Sequence, residues 1–364
     1  MSQRLLKEWG ATMAKLRIGI VGTGGIAQGR HIPAFLKLAD RVEITSVSDI
    51  NFERAKEVAE KFAIPKVYPT YQEMFAEVDA VVVCTPNKFH AEIAVEALEA
   101  GLHVLCEKPM ALTVAECESM ITASEKSGKK LAIAYHYRFM KEAQAAKKVM
   151  FENEIGNPLV VRVQAMRRRK VPGWGVFTNK ELQGGGSLID YGCHLLDLAV
   201  WLMGDAEPAL VVGSTYNALS KIPGQVNQWG EFNHETFNVD DHVTGYIKFS
   251  NGASLLLETS WSNNIKEDVV ENVSISGDKG GLEVFPFSLN YAKHGMLFNS
   301  PASWIPGEVD PSIPQAENFV AACLGQAELV VKPEEALSVS QIIEALYESS
   351  QTGSSIQFGL KEER

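Results

Sequence analysis

The stretch "GIVGTGGIA", residues 19–27, sets Gly22-x-Gly24-x-x-Ala27 directly after the β-branched run "LRIGIV" and before a helical pattern. Glycines in that setting permit a tight turn and let the backbone approach a pyrophosphate. The helix N-terminus behind them offers unpaired N–H groups and a positive dipole to the anion. Gly22, Gly24, Gly25 and Ile26 are therefore candidate cofactor contacts. A glycine-rich turn alone is often only a backbone requirement, but here a second element agrees with it. Asp49 closes the next strand in "TSVSDINFERA", roughly 20 residues on, where a carboxylate accepts hydrogen bonds from ribose hydroxyls. Such a carboxylate repels a 2′-phosphate, so NAD is expected ahead of NADP. Arg54, one turn into the following helix, is read as a solvated side chain that could soften this preference.

Working outward, short β-branched runs alternate with amphipathic stretches from Leu16 to about Ala134, the pattern of a parallel sheet covered by helices. The strands are "LRIGIV", "VEITSVS", "KVY", "AVVVC", "HVLC" and "LAIAY"; the helices lie near Asn51–Phe62, Tyr71–Glu77, His90–Ala100 and Thr113–Ser127. Pro33 is expected to kink or interrupt the first helix because it has no N–H to donate.

After about Met140 the texture changes to a strand at "LVVRVQAMRRR", an apolar helix opening at Gly184, and the runs "HVTGYIKFS" and "ASLLLETSW" joined at Asn251-Gly252, a strong hairpin signal. Helical patterns return at Pro314–Leu324 and Pro333–Ser350. The fold class expected is α/β: an N-terminal Rossmann domain over residues 15–138, after an extension over 1–14, and a C-terminal α+β domain over 139–364 with a large, mostly antiparallel open sheet.

Composition narrows the function. The chain has 364 residues, 46% hydrophobic and 22% charged, which suits two globular domains with a cleft between them. A net charge of -11, with Arg167–Lys170 as the one dense basic run, argues against a nucleic-acid partner. Cysteines at 84, 106, 117, 193 and 323 form no Cys-x-x-Cys pair, which points to free thiols in a reducing cytoplasm. Neither an export signal nor a membrane span is expected.

The candidate chemistry lies at the C-terminal ends of strands, where open parallel sheets bind ligands. Thr85, Pro86 and Asn87 end one such strand; they read equally as cofactor contacts or as an ordinary turn capped by Asn87. His90 is a possible ligand contact or simply a helix-start histidine. "HVLCEKPMA" delivers Glu107 and Lys108 to the same edge, and a lysine there can stabilise negative charge on a substrate oxygen.

In "GGGSLIDYGCHLLDLAVWLMG", Asp190 and His194 stand at i and i+4 on one helix face, with Asp197 a turn further. A histidine held by carboxylates suits a base for an alcohol proton, with Asp190 orienting ring or substrate and Asp197 fixing the other ring nitrogen. Gly184–Gly186 are expected to let a ligand approach the helix N-terminus. The bland alternative is an amphipathic helix with an acidic edge. A metal is not expected, because His234 and His242 lie in separate contexts and complete no ligand set.

Together "GIVGTGGIA", "SVSDINFERA", "CTPNKFH", "CEKPMA", "YHYRF" and "GGGSLIDYGCHLLD" resemble the glucose-fructose oxidoreductase and inositol dehydrogenase family, Gfo/Idh/MocA, from Leu16 onward. The resemblance implies a nicotinamide-dependent dehydrogenase acting on a sugar or cyclitol hydroxyl, a homodimer or homotetramer built through the open sheet, and Lys108, Asp190 and His194 at the catalytic positions. "RRRKVPGWGVF" resembles a branch that oxidises C3 of glucosides or anhydrosugars; Arg167 and a Trp174 stacking on a pyranose are its substrate candidates, against an interdomain seam as the alternative. Tyr135 and Arg138 are candidates for substrate or hinge contacts. The same fold also serves as a non-enzymatic cofactor-sensing regulator, as in a galactose-regulon repressor, and as an oxidoreductase that retains its nucleotide and shuttles hydride between two sugars. Intact catalytic and cofactor sets favour an enzyme.

Overall fold

Six parallel strands, β1 (Leu16–Val21), β2 (Val42–Ser48), β3 (Lys66–Tyr68), β4 (Ala80–Val83), β5 (His103–Cys106) and β6 (Leu131–Ile133), lie in the order β3-β2-β1-β4-β5-β6 in the computed structural model. The structure describes residues 15–204 and 206–359, so the expected extension over 1–14 lies outside the described residues. Helices cover both faces, which is why β4 reads as the unbroken apolar run "AVVV" and is buried throughout. The strand order reverses between β1 and β4, and this switch point opens a crevice at their C-terminal ends. Gly22 stands there with φ +88°, and a Cβ on it would sit 2.7 Å from the Cys84 carbonyl oxygen, so no other residue fits.

Two local expectations are refined. Pro33 interrupts the regular bonding of the first helix, as expected, without ending it: residues 25–36 are helical throughout, and a π-turn over Ala27–His31 sits directly before the α-helical turn Ile32–Leu36 that holds the proline. The helix read at 71–77 is the tighter 3₁₀ form, Gln72–Glu77.

The second sheet has nine strands: β7 (Pro158–Arg167), β8 (Pro208–Tyr216), β9 (His242–Phe249), β10 (Ser254–Ser260), β11 (Val269–Gly277), β12 (Gly281–Glu283), β13 (Ser288–Lys293), β14 (Met296–Pro301) and β15 (Ile356–Gln357). Their order is β14-β13-β12-β11-β7-β10-β9-β8-β15. All neighbours are antiparallel except β7 and β10, which run parallel. The β9–β10 hairpin turns at Asn251-Gly252 as expected, with Gly252 at φ +88° and the Asn251 side chain accepting the Ala253 N–H. Against this sheet packs the helix Cys193–Met203, buried along its whole length. No helix among the described residues is long and apolar enough to cross a membrane.

The unit expected over 139–364 does not pack only on itself. The helix Ser312–Cys323 returns to the first sheet and sets Ala316, Phe319 and Val320 into the cluster of Ile18, Ile20 and Phe35, with the Phe35 and Phe319 rings edge-to-face at 6.5 Å. This late helix ties the two sheets into one body. Truncating its anchor, Phe319→Ala, is expected to cost about 3–5 kcal/mol in urea unfolding; a loss below about 1 kcal/mol would show that the helix does not brace the sheet.

Candidate active site

Asp49 leaves the end of β2 and folds its carboxylate back onto the glycine loop. It accepts the Thr23 N–H at 2.7 Å, the Thr23 hydroxyl at 2.9 Å and the Asn51 N–H at 2.8 Å. Arg54 keeps the solvated position expected of it, and from there its guanidinium reaches back to the same carboxylate, Nη2 donating to Oδ1 at 2.7 Å and Nε to Oδ2 at 3.2 Å. Burial alone would raise the Asp49 pKa, but the Thr23, Arg54 and Asn51 donors outweigh it and hold the group below the usual carboxylate range. Around this anchor the loop is open. A Cβ on Gly24 or Gly25 would meet nothing, Ile26 is partly exposed, and no side chain caps the helical turn that follows. A pyrophosphate fits those free N–H groups, and the buried Thr85 hydroxyl, which has no partner, is a further donor at the same edge.

Asn87 is used differently from either sequence reading, whereas His90 is the helix-start histidine of its second reading and opens the helix His90–Glu99. The Asn87 amide caps no helix and donates to the Gln183 carbonyl at 2.9 Å, joining the first unit to the second beside Pro86. His90 is fully buried with its ring nitrogens 2.8 Å from the Pro109 oxygen and 3.0 Å from the Thr85 oxygen, so it braces the ends of β4 and β5 rather than meeting cofactor. Glu107 is likewise turned inward, with Oε1 2.7 Å from His31 Nε2 and Oε2 accepting the Lys108 N–H.

Lys108, Asp190 and His194 are brought together. The Lys108 ammonium donates to the Asp190 carbonyl at 2.7 Å and to Asp190 Oδ1 at 3.1 Å. Burial works against its charge, but Asp190 more than compensates and the pKa rises, so it stays an ammonium ion. Asp190 Oδ2 accepts the Trp261 indole N–H at 3.0 Å, with Arg167 3.6 Å away. His194 lies against them in an aromatic box, stacked on Tyr137 at 4.9 Å and edge-on to His136 at 4.6 Å. Burial first, then the nearby Lys108, pushes its pKa well below the ordinary value, leaving a neutral imidazole able to accept a proton.

This geometry departs from the sequence expectations around the helix that carries His194. Neither Asp190 nor Asp197 hydrogen-bonds His194, whose Nδ1 is buried without a partner. The π-turn Leu188–Gly192 changes the helical phase, so the i, i+4 spacing does not deliver the paired face. Asp197 instead takes both fork nitrogens of Arg138 at 2.8 and 2.6 Å, and Arg138 also donates to Glu335 and the Val330 carbonyl. Arg138 is thus fully buried and makes the hinge contact of its two readings, and the equally buried Tyr135 packs behind His194. Finally, the triple glycine opens no path to a ligand. A Cβ on Gly186 would lie 1.9 Å from the Asp240 oxygen and one on Gly185 2.0 Å from the Tyr347 hydroxyl. Asp240 caps this helix start, accepting from Gly186 N, Leu188 N and the Ser187 and Tyr347 hydroxyls.

Glu271, Trp261 and Trp229 carry no local signal in sequence. Glu271, on β11, accepts from the Tyr137 hydroxyl at 2.8 Å and from that of Tyr191, fixing the ring on which His194 stacks. Trp261, just beyond β10, holds Asp190. Arg167 is layered between the Tyr191 and Trp229 rings at 4.0 and 4.7 Å, and Trp174 leans on Trp229 at 5.4 Å.

An open glycine loop after β1, a charged lysine at the end of β5 and a neutral histidine beside it are the groups a nicotinamide-dependent dehydrogenase of CH–OH groups requires. Family comparison agrees. Residues 16–135 match the oxidoreductase family with NAD-binding Rossmann fold, Gfo/Idh/MocA, and residues 143–283 match that family's C-terminal domain; the chain belongs to this family. It is 37% identical to a D-glucoside 3-dehydrogenase of Escherichia coli over 95% of this chain and 98% of that one. It is 33% identical to a glucose-6-phosphate 3-dehydrogenase of Bacillus subtilis over 72% of each chain. Among solved structures, the aldose-aldose oxidoreductase of Caulobacter crescentus superposes with a TM-score of 0.78 at 26% identity, over 95% of this chain and 100% of that one.

The Glu107–His31 pair beneath Lys108 has a pH signature. Burial would raise the Glu107 pKa, but His31, Lys108 and Arg30 bring it down to about 2 from an ordinary value of 4.5. Its stabilising contribution, on the order of 3 kcal/mol, is complete above the unfolded value and is lost as pH falls toward the folded one. Unfolding free energy should therefore drop more steeply between pH 4.5 and 2 in the parent than in Glu107→Gln; parallel curves would contradict the assignment.

Proposed function

We propose that the protein oxidises a secondary ring hydroxyl, at C3 of a glucoside or related pyranoside, with NAD as acceptor. The observation that carries the reading is the convergence of the Lys108 ammonium, held by Asp190, with a neutral His194 in one cleft. Bound nicotinamide supplies the hydride acceptor. The chain's own residues do the rest: Lys108 binds the substrate oxygen and stabilises negative charge on it, and Asp190 orients that ammonium. His194 takes the hydroxyl proton as the carbon gives up its hydride, so one proton and one hydride leave the alcohol. In reverse, His194 returns the proton to a ketosugar. The C3 position is supported by two relatives named as 3-dehydrogenases. The aldose-aldose oxidoreductase supports a second reading, in which the nucleotide is retained between turnovers; loss of nucleotide on dialysis separates the two.

NAD is favoured by the charged Asp49, although the Arg54 fork neutralises part of its field. A homo-oligomer is supported by the outer face of the second sheet, where the cross-strand row Leu256, Tyr246, Val212 is apolar and exposed.

Nicotinamide absorbance with NAD and NADP against inositols, aldoses, glucosides and anhydrosugars tests the substrate class. Reduction of NAD by glucosides is expected, and silence from every glycoside, with nucleotide shown to bind, would sink it. His194→Ala should lower kcat about 10²–10⁴-fold while the NAD Kd moves less than about threefold; unchanged turnover removes His194 from the mechanism. Arg54→Ala should raise the NAD:NADP ratio of kcat/KM, since it unmasks the Asp49 charge, and a fall in that ratio would show that Arg54 does not oppose discrimination.

A further inference from the structure

We propose that Trp229, with Trp174, forms a second subsite beside the reacting hydroxyl that takes the next ring of a glycoside, so that the enzyme selects disaccharide-like substrates over simple alkyl glycosides. This deepens the reading above and rests on it for the reaction, though not for the binding.

The two indoles lean together at 5.4 Å and 44°, yet Trp174 stays 53% and Trp229 37% exposed. Large aromatic faces left in water beside a catalytic cleft are costly unless a ligand covers them. Trp229 lies in the segment between β8 and β9, residues 217–241, which forms neither helix nor strand. A connection of that length without regular structure is characteristic of binding loops.

This one is pinned. Asn227 accepts the Val171 N–H at 2.8 Å and donates to the Val171 carbonyl at 2.9 Å and the Gly230 carbonyl at 2.7 Å. The Gln228 N–H adds a bond to the Arg169 carbonyl at 2.8 Å. Gly173 lets the Trp174 loop press against the Trp229 loop, since a Cβ there would sit 2.7 Å from the Glu231 oxygen. The platform is therefore preorganised before ligand arrives.

Its link to the chemistry is direct. Beneath it a small apolar cluster of Val171, Phe237, Val239 and Trp261 is fully buried, and Trp261 is the residue that donates to Asp190. Above that link, Arg167 stacks on Trp229 and lies 3.6 Å from the same carboxylate. One guanidinium thus separates the tryptophan from the Asp190–Lys108 pair. A sugar ring placed with its hydroxyl at Lys108 and His194 presents its substituent across Arg167 toward the indoles. A pyranose matches that surface: its C–H face stacks on an indole, and its hydroxyl rim meets guanidinium donors.

The test uses the NAD-bound enzyme with methyl glucosides and a set of α- and β-linked glucosyl disaccharides. The parent should favour at least one disaccharide in kcat/KM. Trp229→Ala should raise the disaccharide KM about tenfold more than the methyl glucoside KM, with a much smaller effect on kcat, and Trp229→Phe should restore most of the difference. Loss of activity shared equally by both substrate types, or no disaccharide preference in the parent, overturns the subsite. Should no glycoside be turned over, the oxidation reading fails by itself, and indole fluorescence still decides the subsite. Quenching by a disaccharide in the parent and not in Trp229→Ala supports it; no quenching in the parent overturns it.

Discussion

The contact between the Lys108 ammonium and Asp190 joins two units of different architecture at the point where chemistry occurs. Lys108 arrives at the end of β5, a strand locked between two parallel neighbours. Asp190 arrives on the π-turn that opens the buried helix of the second unit. Burying an ammonium ion is expensive, and a carbonyl together with a carboxylate oxygen offset that cost here. Burial depresses protonation of His194 most, and the same charge adds to it. One ion pair therefore joins the two units, keeps the lysine cationic and reinforces the neutral state that burial imposes on the histidine.

Polar pairs deeper in the interior make that arrangement rigid. His31 and Glu107 connect the helical turn after the glycine loop to the residue before Lys108. Arg138, Asp197 and Glu335 connect the segment after β6, the His194 helix and the long C-terminal helix Pro333–Thr352. Removing one member would leave an uncompensated buried charge, so these groups resist change without touching a ligand. They hold to narrow limits the side chains that do reach the cleft.

Their behaviour also explains what was legible in the sequence. Strand periodicity, the glycine loop, Asp49 and the lysine at a strand end are local patterns whose physical meaning does not depend on distant residues, and the structure keeps each where its pattern puts it. Spacing failed where a backbone irregularity changed the phase, as at Asp190 and His194, or where a more urgent partner intervened, as for Asp197 and Arg138. The three glycines carried a local meaning, freedom from side chains, but not its cause: Asp240 and Tyr347 come from far along the chain to fill that space. Glu271, Trp261 and Trp229 were invisible for the same reason, because a residue that acts through long-range contact leaves no mark on its neighbours.

The division of labour follows from where each group sits. Lys108 and His194 sit at a strand end and on one buried helix, positions that cannot shift without repacking two cores. Arg167, at the end of β7, stacks on Trp229, which Trp174 adjoins, and both tryptophans lie on irregular segments outside both sheets. Those segments are tied to each other by Asn227 and Gln228 and rest on their own small apolar cluster. They can change in length and composition at little cost to either main core. A fold built this way can retain one reaction while exchanging the ring systems it accepts, because the tryptophan-bearing segments meet the Asp190–Lys108 pair through side chains, Arg167 and Trp261, and not through either main core.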